Sequence, residues 1–265
     1  MRKNILNQNY SHIFVLLLSI SQLFSYKLIA ADFTIVDGQV VTTQQTLTGN
    51  ETGTINNGGQ LNVTLDAVTV SGADNNVTNA GSISTSASNA DGIFSDNTAS
   101  NTNITNNGTI ATSGNNARGI HSRGSDDIII SSGSVTTTGD GSMGIRSRGT
   151  NVSISHSGDI NTQGFQSFGI VATENGANIN NSGSITTTGV DSDGIRSSGT
   201  NAVIISSGTI NVTDDTSRGI RSSAANVTII HSGNIMTQGL NSYGISSNAT
   251  SSSAVISNTG NITTT

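Results

Sequence analysis

Gly-Ile pairs recur along this chain at Gly92-Ile93, Gly119-Ile120, Gly144-Ile145, Gly169-Ile170, Gly194-Ile195, Gly219-Ile220 and Gly244-Ile245, with one step of 27 followed by five of 25. A second series, Gly-x-Ile/Val, falls at Gly81, Gly108, Gly133, Gly158, Gly183, Gly208, Gly233 and Gly260, with steps of 27, five of 25, and 27 again. A fixed period of this length means stacked units, each touching only its neighbours. The repeat overrides a composition that would otherwise read as disordered, with 3% aromatic residues and an excess of Gly, Ser, Thr and Asn.

Within each unit, apolar or small hydroxyl residues recur two apart in three short blocks. Ile110/Thr112, Ile160/Thr162 and Ile185/Thr187 mark the first, and Ile120/Ser122, Ile145/Ser147 and Ile195/Ser197 the second. The third carries Ile129, Ile154, Ile179, Ile204, Ile229 and Ile256, often with Val or Ala two residues earlier (Val152, Ala177, Ala202, Val227). Period two is the signature of a strand with one face inward, and the blocks are too short and too β-branched for helices. Gly, Asn and Ser clusters such as NNG (106–108) and NSG (181–183) mark the corners. The expected fold is an all-β, parallel, right-handed β-helix solenoid with about 25 residues and three short strands per coil. About nine coils at about 4.8 Å each give roughly 40–45 Å of length.

The first 31 residues differ from the rest. Arg2 and Lys3 precede the apolar run IFVLLLSI (13–20), and LIAA (28–31) ends in small residues. This reads as a secretory signal peptide cut near Ala31, with an apolar run shorter than a membrane span needs. Residues 32–78 read as an N-terminal cap with the first irregular coils, and 79–265 as regular repeats. Removing 1–31 leaves seven Arg, no Lys and 16 acidic residues, a net charge of −9. Such a chain is a poor partner for nucleic acid. With no Cys, it carries no disulfide framework.

The signal peptide, the Cys-free Gly/Ser/Thr/Asn body, and units such as NNGTIATSGNNARGI (106–120) and NSGSITTTGVDSDGI (181–195) resemble the passenger domains of Gram-negative autotransporters, the type V secreted proteins. The resemblance spans about residues 50–265 and identifies an architecture more than an activity. It implies export through the periplasm to the outer membrane or cell surface, or secretion. It also implies a C-terminal outer-membrane barrel as the only membrane attachment. The chain ends at GNITTT (260–265), inside a strand block, so it reads as the front part of a longer protein.

The recurring tetrapeptide Gly-Ile-Arg-Ser carries the main candidate chemistry. Arg146, Arg196 and Arg221 follow an inward Ile and so point outward, and Arg123 and Arg148 sit two positions beyond the same slot. With Arg118 and Arg218 they place every mature Arg on one face, a candidate ligand strip for an anionic surface such as a glycan. The alternative is a ladder balanced by acids, with Asp91 beside Arg118 and Asp193 beside Arg218. The doublets Asp126-Asp127 and Asp214-Asp215 are the nearest thing to paired catalytic carboxylates, but no convergent acids or His join them, and His121 reads as solvent-facing. His156 and His231 share one corner position in units three repeats apart, too far for joint metal ligation. No catalytic, metal or cofactor residue is expected. Ile128, Ile130, Ile205 and Ile230 fall in outward slots, a candidate self-association strip.

The expected function is a non-enzymatic, cell-surface passenger acting as an adhesin or a structural stalk. Its partner would be a host or neighbouring-cell surface, including glycans. The competing expectation is a polysaccharide-active β-helix enzyme, disfavoured because such short, even units leave no long loops to wall a cleft.

Overall fold

The computed structural model describes residues 31–248 and 253–265. The signal-peptide reading therefore lies outside the described residues, apart from Ala31. The rest is a parallel β-solenoid of about nine coils, without helix among the described residues. Sheet I has ten strands from Phe33–Ile35 to Val255–Asn258, sheet II ten from Val40–Val41 to Asn261–Thr264, and sheet III nine from Gln45–Leu47 to Tyr243–Ser247. Residues 33–78 already form coils on these sheets, with Phe33 paired to Gly53 and Gly53 to Val77.

The inward residues stack like on like. Ile110 pairs with Val135, Ile145 with Ile170, and Ile154 with Ile179. All are buried, and full burial of such a side chain stabilises by about 1.5–3 kcal/mol. The two longer steps of the repeat both fall at the corner from sheet III to sheet I. Val77 pairs with Ile104 and Ile229 with Ile256, whereas Ile104 pairs with Ile129 at the regular step. Asp96 closes the first of these corners by accepting from the Thr98 and Ala99 amides.

Two corners per coil hold a residue at positive φ. Asp74, Asn101, Asp126, Asn151, Asn201 and Asn226 form one column, and Asn89, Asn116, Gln166, Asp191, Thr216 and Asn241 the other. Asn and Asp tolerate this backbone better than other side chains, which explains their abundance. The amides also link coils, as Asn151 Nδ2 donates to Asp126 Oδ1 and Asn226 Nδ2 to Asn201 Oδ1.

A buried serine column, not distinguished by the sequence, supports the next strand. The Ser142, Ser167 and Ser192 amides donate to the Oγ of Ser167, Ser192 and Ser217 on the following coil. Ser167 Oγ in turn donates to the Gly139 carbonyl, so each hydroxyl meets two backbone groups.

The Gly81-to-Gly260 column has no room for a Cβ. At Gly158 it would collide with the carbonyl oxygens of Gly133 and Ser132 on the coil below. Gly158→Ala must push two coils apart. We expect a loss of about 3 kcal/mol, the top of the usual overpacking range, read from the urea midpoint. The adjacent exposed Ser157→Ala should be near neutral.

Candidate functional site

Sheet III presents its outer face as two columns. The strand column runs Phe94, His121, Arg146, Val171, Arg196, Arg221 and Ser246, each paired in register with the next. The second column precedes each Gly-Ile and includes Asp91, Arg118, Met143, Phe168, Asp193, Arg218 and Tyr243. Within it, Met143 pairs with Phe168 and Arg218 with Tyr243. The alternation that buries Ile145 and Ser147 turns Arg146 outward. Arg123 and Arg148 lie on the flank and are exposed, while Arg118, Arg146, Arg196, Arg218 and Arg221 are half-buried. The five candidate residues, Arg123, Arg146, Arg148, Arg196 and Arg221, thus share one face but fall into two groups.

In the upper group, Asp193 lies under three guanidiniums. It accepts from the Arg218 amide at 3.0 Å, and its oxygens lie 3.8 Å from Arg218 Nη1 and Arg221 Nη1. Burial pushes its carboxyl up, and Arg218, Arg221 and Arg196 oppose that shift. Asp191 adds a contact at 3.4 Å to Arg218. Arg196 lies over the Phe168 ring, 5.2 Å from its centroid. Three Arg are therefore met by two carboxylates and an aromatic face.

The lower group is less compensated. Asp91 accepts from the Arg118 amide at 2.7 Å and pairs with His121 Nδ1 at 2.7 Å, while Arg118 Nη1 stands 3.6 Å away. The carboxylate only accepts, so His121 Nδ1 carries the proton. Asp66 stands behind, accepting from the Asp91 amide. Burial pushes the Arg146 guanidinium down to about 10, and Arg118, Arg148 and Arg123 push it the same way, against Asp91 alone.

Two sequence expectations need correction. His121 is not solvent-facing: it is 6% exposed, its ring tilted against that of Phe94 with centroids 5.1 Å apart, and it is tied to Asp91. Burial lowers its basicity more than Asp91 restores it. His156 and His231 end sheet I strands with their side chains buried. Asn181 pairs with His156, and Ser206 with His231. Burial depresses both imidazoles.

The other candidates sort plainly. Asp127 is turned inward, taking bonds from Ser95 Oγ, Ser122 Oγ and the Thr102 amide, while its neighbour Asp126 is exposed. In the second doublet, Asp214 accepts from the Asp215 amide and Asp215 from the Leu240 amide. No group of three His, Asp or Glu side chains able to hold a metal occurs among the described residues. Ile128, Ile130, Ile205 and Ile230 do lie outward on sheet I and are exposed. A shallow open groove over sheet II, lined by Asn62, Ser84, Ala111 and Thr136, is uncharged and separate from the Arg face.

No family model, no curated protein and no solved structure matches the chain.

Proposed function

We propose that this chain is an autotransporter-type passenger, exported to the cell surface, whose solenoid works without catalysis as an adhesin or a stalk displaying outward side chains. The observation that carries the reading is the division of labour within one strand column. The inward slots beside Arg146 repeat Ile and a small residue, Ser or Ala, while its own slot holds Phe94, His121, Val171, Arg196, Arg221 and Ser246. The fold constrains the first set and leaves the second open. All seven mature Arg of an acidic chain gather on that open face, which suits multivalent contact with an anionic surface.

The test is binding of the purified chain to cells and to acidic glycans. Arg146→Ser, Arg196→Ser and Arg221→Ser together should lower affinity at least about tenfold, with a weaker salt dependence. Unchanged binding would leave the stalk and remove the adhesin. Cleavage of an acidic polysaccharide by the chain would overturn the non-catalytic reading.

A further inference from the structure

We propose that Arg118, His121 and Arg146 form the floor of an oxyanion subsite, rimmed by Arg123 and Arg148, that takes one sulfate or carboxylate group of an acidic polysaccharide lying along the solenoid axis. The inference rests on the Arg face being a binding strip, and it says where on that strip the anion sits.

Charge is the first observation. The charges that act most on Arg146 are three guanidiniums and one carboxylate, and that carboxylate is already engaged by the Arg118 amide and His121 Nδ1. The upper group offers no such surplus, because Asp191 and Asp193 lie against Arg218 and Arg221.

Unmet hydrogen bonding is the second. Arg118 Nε, Arg146 Nε and His121 Nε2 are buried and have no partner among the described residues, against Arg221 Nε as the one such nitrogen in the upper group. Two are obligatory donors, and leaving a buried donor unmet costs stability. His121 is more than nine-tenths buried and pairs directly with Arg146 across the sheet. Its Nε2 becomes a third donor on taking up one proton, so the arriving anion brings a proton with it. The ionisable groups facing this ring are Asp91, Arg118 and Arg146, with Phe94 covering the other side.

Shape selects the ligand class. The column from Phe94 to Arg221 runs about 24 Å along the axis at the strand spacing, with Val171 between the two Arg groups. A linear polymer with spaced charges follows such a row. A peptide would seek an open sheet edge, and this site is a face. A bilayer would also meet the exposed Asp126, Asp140 and Glu174. Nucleic acid carries charge more densely than the row does.

The experiment is equilibrium binding of the intact chain to fluorescent dextran sulfate and to polygalacturonate, with neutral dextran and single-stranded DNA alongside and inorganic sulfate as competitor. Slots holding Phe94, Val171, Met143 and Phe168 accept many side chains, so Arg118→Gln with Arg146→Gln should fold. This pair should lower affinity for the acidic polymer at least about tenfold, while Arg196→Gln with Arg221→Gln lowers it less than about threefold. Affinity should rise as pH falls from about 7.5 to about 5.5, and His121→Asn should flatten that rise. Sulfated and carboxylated polymers binding alike, or one only, identifies which oxyanion is taken. If Arg196 and Arg221 prove essential and Arg118 and Arg146 dispensable, the strip stands and the subsite is wrong. If no acidic polymer binds, the strip reading falls as well. Equal binding of DNA overturns the polysaccharide assignment.

Discussion

Ile170→Ala is expected to destabilise the solenoid by about 3 kcal/mol, the middle of the range for removing a buried branched side chain from a packed core. Ile170 pairs with Ile145 on one side and Ile195 on the other, and no part of it reaches solvent. Truncation therefore opens a cavity against two neighbours that the β-sheet spacing prevents from closing in. Ile205 stands next to the ladder residue Ile204 but on the outer face of its strand, and is 39% exposed. Ile205→Ala should cost less than about 1 kcal/mol, as an exposed position does. Urea midpoints of the two variants make the comparison. Equal losses would mean that the ladder is not the continuous core described above.

The second large effect concerns acid. His156 and His231 are held neutral by burial, their basicity pushed below that of a free imidazole. In the unfolded chain each takes up a proton near pH 6.5, whereas in the folded chain burial defers that uptake to lower pH. Stability is therefore intact above that pH and falls as pH drops through it. A histidine that stays neutral in the fold loses about 1.4 kcal/mol by pH 5.5. That figure is the upper bound for each of the two rings. Asp193 and Asp66, whose carboxyls burial pushes up, act in the opposite sense. They are common to both proteins, so the comparison with His156→Asn plus His231→Asn isolates the imidazoles. Asn fits the slot, since Asn106 and Asn181 already occupy it and are buried. The double variant should lose less stability than the parent between about pH 7.5 and about pH 5.5. Parallel curves would mean that the two rings are protonated or wet in the fold.

The coil was legible because its signal is contrast. In a chain of Gly, Ser, Thr and Asn, an Ile returning at the same slot of every repeat can only be a ladder, and its neighbours one residue away must then face out. The same logic placed Asp91 beside Arg118 and Asp193 beside Arg218, as the ion pairs have them. What was hidden lacked contrast or depended on depth. The Ser142–Ser217 column is indistinguishable from the many other serines until the hydrogen bonds are drawn. His121 sits in an outward slot, yet Phe94 and the Asp91–Arg118 pair close over it. Period two gives the side of the sheet, not how far neighbouring columns rise above it. His156 and His231 stand two residues before a corner Gly, yet each is the last residue of its strand and is buried.

The ladder, the Arg face and the subsite all depend on residues one repeat apart standing one above the other. The absence of Cys from the sequence allows clean pairwise spin labelling at outward sheet I positions. Thr105 and Ile205 lie four strand steps apart, and Thr78 and Ile230 six, through Ile130, Ser155 and Asn180. Electron–electron distance measurements should give two narrow distributions, separated by about 10 Å and centred near about 19 Å and about 29 Å plus the label length. Broad distributions centred at about 55 Å or beyond, as a flexible chain of these lengths gives, would contradict the solenoid and every site built on it.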